Sequence, residues 1–173
     1  MLFRSFAVLL YTGLRAGDAA MLTYGNIDFS QKVITTLVRK SRRVHEFPLS
    51  DHLVSLIPKS KDDNEPLFPT LYVTKTNSVG EIVADERILH YRIGIPRKRF
   101  QMILKEADRP KATLHSFRVT FNNLLLAEKL SIEDRQSLMA HSSSKTTTVY
   151  THPNLELARD YINKLPNYSS GKK

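Results

Sequence analysis

The chain predicts a mainly α fold with a small antiparallel β-sheet, an α+β arrangement. Three observations carry this. Apolar residues recur at helical spacing in several separate stretches, a single run of β-branched residues is followed at once by a short partner run, and no segment repeats. A length of 173 residues suits one domain with a real core, and a hydrophobic fraction of 41% is that of a globular chain. Lysine and arginine number 26 against 17 acidic residues, a net charge of +9, which points to a polyanionic partner, nucleic acid before any other. Cysteine is absent, which excludes a disulfide scaffold and a thiolate metal site. No stretch is apolar over the roughly 20 residues that a spanning helix needs, so no membrane partner is expected. The interrupted apolar run at the start, without a small-residue cleavage pattern, reads as a core helix and not a signal peptide. That places the protein in the cytoplasm.

Taken in order, Phe6, Leu9, Leu10 and Leu14 mark a helix over 2–14, interrupted at Thr12-Gly13. A short helix resumes over Ala16 to Leu22 and ends at Gly25-Asn26. Val33 to Val38 reads as a strand and Arg43 to Phe47 as its hairpin partner, joined by the basic turn Arg39-Lys40-Ser41-Arg42 and closed by Pro48. Ser50 or Asp51 caps a helix through Ile57, and 58–69 is loop. The region 71–95 holds a turn at Asn77 to Gly80 and reads as a surface insertion. Arg97 to Ala107 is an amphipathic helix with Phe100, Ile103 and Leu104 inward. Its first turn carries Arg97, Lys98 and Arg99. Cations there oppose the helix dipole, which favours contact with phosphates over an idle charged face. Ser116 to Leu126 is a further helix with Phe117, Phe121, Leu124 and Leu125 on one face. Ser131 caps another to about Ala140, Thr146 to Tyr150 starts a turn, and a tail helix spans Leu155 to Leu165.

The chemistry concentrates in 114–150, which holds His115, Arg118, His141 and Tyr150. A phosphodiester repels nucleophiles through its charged oxygens. An arginine fork neutralises two of them at once and stays protonated, which makes Arg15 and Arg118 candidates. Tyrosine serves as a covalent nucleophile once a base or nearby positive charge draws off its proton. Singly, each of these residues fits a bland role: a surface ion-pair arginine, a half-buried tyrosine or a capping histidine. Their joint order is what discriminates.

That joint order resembles the catalytic domain of the tyrosine recombinases, the phage-integrase family. Thr12-Gly13-Leu14-Arg15 matches the family's first arginine motif, with Asp18 where a supporting glutamate is usual. His115-Ser116-Phe117-Arg118 matches its His-x-x-Arg, and Thr147 with Tyr150-Thr151-His152 matches its ending. Ala140-His141 stands for Gly-His, a replacement that needs a negative backbone φ at the alanine. Lys40 lies in the hairpin turn where the family's general-acid lysine lies. Arg39, Arg42 and Arg43 beside it are expected to contact DNA, as are Arg97, Lys98 and Arg99.

The resemblance implies a mechanism that uses neither a metal nor a cofactor. Arg15, Arg118 and one or both of His115 and His141 hold the scissile phosphate. Tyr150 attacks to form a 3′-phosphotyrosyl link, and Lys40 protonates the departing 5′-oxygen. Either histidine could receive the tyrosine proton. The expected partner is double-stranded DNA, with a homotetramer on DNA and a monomer without it, in a bacterial or mobile-element setting. The alternatives are a type IB topoisomerase-like activity and a non-catalytic DNA-binding remnant. By this reading 1–173 is a single catalytic domain without the family's N-terminal core-binding domain, and 154–173 is the C-terminal tail helix and polar end. The tail helix packs either on a neighbouring protomer or back on its own domain.

Overall fold

The computed structural model describes residues 2–140 and 155–168. His141, Thr147, Tyr150 and His152 lie outside the described residues, as do the turn expected at 146–150 and the polar end 169–173. Helices dominate, beside two small antiparallel sheets, in line with the expected fold class.

Helix α1 spans Leu2–Thr12 and is followed by the short α2, Ala16–Ala20. The break between them is built by Gly13, at φ +65, whose N–H donates to the Leu9 carbonyl at 3.1 Å. A Cβ at Gly13 would also lie 2.5 Å from the Phe121 ring, so the site excludes other residues twice over. A turn of 3-10 helix at Tyr24–Asn26 leads into the strands. These are β1 (Ile27–Asp28), β2 (Val33–Val38) and β3 (Arg43–Pro48), in the order β1-β2-β3. The β2–β3 hairpin pairs Val33 with Pro48 and Val38 with Arg43. Ser50 caps α3, Asp51–Leu56, its hydroxyl accepting from Leu53 N–H at 3.1 Å.

The region 71–95 departs from expectation. It holds a hairpin of β4 (Thr74–Thr76) and β5 (Ile82–Ala84) around the foreseen turn. Helix α4 then runs Glu86–Glu106, beginning well before Arg97. Asp85 starts it, its carboxylate accepting from Arg87 and Ile88 N–H at 3.1 Å each. Pro96 lies inside this helix and is buried, although a proline removes a backbone donor there. Arg97, Lys98 and Arg99 are therefore exposed mid-helix residues, and the dipole conflict inferred for them does not exist. Ile103, expected inward, is 48% exposed.

Helices α5 (His115–Ala127) and α6 (Ile132–Leu138) follow. The Ser131 hydroxyl accepts from Asp134 N–H at 3.1 Å and donates to its carboxylate at 2.7 Å. Phe6, Phe100 and Phe117 form one aromatic cluster joining α1, α4 and α5, with ring centroids 4.8–5.6 Å apart. Helix α7, Leu155–Asn163, packs back on its own domain: Ala158, Ile162 and Leu165 are buried in the common core. Its end is fastened by Tyr11, whose hydroxyl donates to the Pro166 carbonyl at 2.8 Å and accepts from Tyr168 N–H at 3.0 Å.

Tyr11→Phe removes both bonds while keeping the ring. It is expected to cost about 1–2 kcal/mol in urea unfolding and to speed amide exchange in α7. Unchanged exchange in α7 would show that the fastening lies elsewhere.

Candidate active site

The site is built where α1 ends, α2 begins and α5 and α6 meet them. Arg118 lies one turn into α5 and is only 4% exposed, although arginine is rarely buried. Its two terminal nitrogens donate to the Gly13 and Met139 carbonyls, so one planar fork joins the end of α1 to the end of α6. Burial pulls the Arg118 guanidinium down to about 10, nearby Arg15 adds to this, and Asp18 opposes it. It therefore remains a cation at neutral pH.

Arg15 is the N-cap residue of α2, in extended backbone at φ −70, and its carbonyl accepts from Ala19 N–H at 2.9 Å. Asp18 follows one turn on and is buried, with one carboxylate oxygen accepting from Arg39 N–H at 3.2 Å and the other buried without a partner. Burial pushes the Asp18 carboxyl above its ordinary value. The Arg39 amide and the charges of Arg15, Arg39 and Arg118 pull the other way.

Asp18 thereby ties the β2–β3 turn to α2. Arg39 is held a second time by Glu86 at the start of α4, through Nε at 3.1 Å and through its terminal nitrogen. Gly17 lets the guanidinium lie this close, since a Cβ there would come within 2.6 Å of it. Lys40, the next residue, is exposed at the turn, and Arg42 and Arg43 are exposed beside it. His115 is exposed at the first position of α5, one turn before Arg118. Ser116 steadies that helix start by accepting from Thr113 N–H at 3.1 Å.

Arg15, Asp18, Arg118 and the Lys40 turn thus form one neighbourhood. Ala140 ends α6 beside it at φ +49, the left-handed region that favours glycine, and not at the negative angle expected of an alanine. His141 and Tyr150 follow outside the described residues. No group of acidic or histidine side chains among the described residues could hold a metal ion. Two features escaped the sequence reading. One is the Arg39–Glu86 pair, which joins distant segments. The other is His45, which Phe47 two residues on could have flagged, since alternate residues of a strand share a face.

The model of the phage integrase family matches residues 3–156, and the chain belongs to that family. A probable integrase/recombinase of Acholeplasma phage L2 is 28% identical, over 88% of this chain and 49% of that protein. The tyrosine recombinase XerD of Neisseria meningitidis serogroup B is 27% identical, over 83% of this chain and 48% of that protein. The chain thus spans about half the length of these curated relatives. Among solved structures, the integrase from mycobacterium phage Brujita is similar with a TM-score of 0.68 at 17% identity, covering 95% of this chain and 51% of that one. The Tn1549 transposon integrase in complex with a circular intermediate DNA gives 0.55 at 19%, covering 92% and 53%. Both likenesses bear on the fold. No helix among the described residues is long and apolar enough to cross a membrane.

Two outcomes follow from this geometry. Ala140→Gly relieves the left-handed strain and is expected to raise the unfolding free energy by about 0.5–1 kcal/mol, after the glycine's own entropic cost. A loss of stability in urea titration would contradict the left-handed conformation of Ala140. Asp18, raised from 3.8 in the fold, gives up its proton later than in the unfolded chain. Its contribution to stability is full below that value and is lost as pH rises through the folded pKa. Asp18→Asn should therefore flatten the melting temperature between about pH 4 and neutrality relative to the native chain.

Proposed function

We propose that this chain is the catalytic part of a site-specific DNA recombinase or integrase that cuts and rejoins DNA through Tyr150 without a metal. The observation that carries the reading is the cation cluster of Arg15 and buried Arg118, with the Lys40 turn fastened to it through Asp18 and Arg39. A buried guanidinium held by backbone carbonyls is set in place before substrate arrives. That is the condition under which fixed charge stabilises a pentacovalent phosphate best.

In this reading Arg15 and Arg118 neutralise the scissile phosphate, aided by His115, His141 or both. Tyr150 attacks phosphorus, its proton passing to a histidine, and the 5′-oxygen leaves with a proton from Lys40. The phosphotyrosyl link conserves the phosphodiester bond energy, so the 5′-hydroxyl of a second strand can reverse the step. Exposed Arg42, Arg43, Arg97, Lys98 and Arg99 contact the backbone of double-stranded DNA, while Arg39 positions the Lys40 turn through Glu86. The chain acts as a single catalytic domain, tetrameric on DNA and monomeric without it.

The test is covalent trapping on nicked duplexes of randomised sequence. The native chain should form a protein–DNA adduct that survives denaturation, Tyr150→Phe should form none, and Arg118→Lys should lower the yield by about 100-fold. An adduct formed equally by Tyr150→Phe would end this assignment.

A further inference from the structure

His45 lies on β3 facing inward, its ring edge-on to Phe47 with centroids 4.6 Å apart. It reaches the C-terminal end of α6, where the Leu138 and Ser137 carbonyls accept its N–H. Its Nε2 is buried with no hydrogen-bond partner among the described residues. The ring therefore fits as a neutral imidazole with its proton on Nδ1 and a lone pair on Nε2. Arg118 approaches from α5 and donates to Met139, the next residue of the same helix end. Two side chains from different elements thus grip consecutive carbonyls of α6, directly ahead of Ala140 and His141 in the chain.

We propose that His45 is a positioning residue: its neutral ring and Arg118 together hold the end of α6, and protonation of His45 releases that hold. The effect on DNA cleavage rests on the function proposed above; the effect on the fold does not.

A second proton would sit on buried Nε2 with no acceptor among the described residues and would place a cation beside Arg118. The other groups around the ring do not cancel this. Glu46 on the same strand favours the cation, and Thr36 opposite it on β2 is uncharged. Helix α7 also packs against β3 and carries Glu156, Arg159 and Asp160, of which Arg159 is bound to the Gln31 carbonyl. Burial, with Arg118 behind it, holds the imidazole below its ordinary value of 6.5, against the pull of the carbonyls and Glu46. As pH falls below that value the unfolded chain takes up the proton first, so the fold loses stability.

The experiment compares the native chain with His45→Asn and His45→Phe. Asparagine keeps a donor near the Nδ1 position and cannot titrate, whereas phenylalanine keeps only the ring shape. Between about pH 7.5 and about pH 5.5 the native melting temperature should fall by roughly 3 °C more than that of His45→Asn. Over the same range native adduct yield on randomised nicked duplexes should fall about tenfold more than that of His45→Asn, and that of His45→Phe should be low throughout. In the native chain alone, exchange of the Met139 and Ala140 amides, corrected for intrinsic rate, should quicken as pH drops. Parallel pH slopes in the native chain and His45→Asn overturn the proposal, as does unchanged exchange at those amides. If no chain forms an adduct, the recombinase reading fails, and melting and exchange still decide the role of His45.

Discussion

One buried guanidinium organises this molecule. A charge taken out of water costs several kcal/mol unless its donors are met, and Arg118 meets the cost with backbone carbonyls, not with a paired carboxylate. Those carbonyls belong to Gly13, where α1 breaks, and to Met139, where α6 ends. The same cation therefore fixes the spacing of three helices and supplies positive potential to the site. Gly13 serves it in turn, since a left-handed residue there aims its carbonyl at the fork while Phe121 closes in behind.

Around this centre, like charges are held together by geometry and not by neutralisation. Among the described residues, Asp18 is the carboxylate that the site's electrostatics place between Arg15, Arg39 and Arg118, and one of its oxygens has no partner there. The net excess of positive charge is costly by itself, and under the proposed function an incoming phosphate would balance it. Glu86 relieves part of the excess at the turn. That pair is largely exposed on the glutamate side, so it steers Arg39 more than it stabilises the fold.

Much of the fold was legible because local chemistry and tertiary packing agree. The β-branched run gave β2 to the residue, Ser50 and Ser131 announced their helices, and the Thr12-Gly13 break stands where it was read. Helix α4 was not legible in its first half. Gly94 and Pro96 signal a break, yet the helix runs through both, with Pro96 buried. Within the site, Arg15, Asp18 and Arg118 were readable from a motif. The fastening of Arg39 to Glu86 spans 47 residues and leaves no local signature. His45 escaped because a single polar residue on an inward strand face reads as ordinary alternation.

The clasp between Tyr11 and the tail has a consequence for how the chain is made. The two ends of that bond are 155 residues apart. At a synthesis rate of roughly 5–20 residues per second, α1 emerges about 8–31 seconds before this partner. Throughout that interval the groove later filled by Ala158, Ile162 and Leu165 is open to solvent. The nascent chain thus carries an unfilled apolar seam until the tail has been made and folds back.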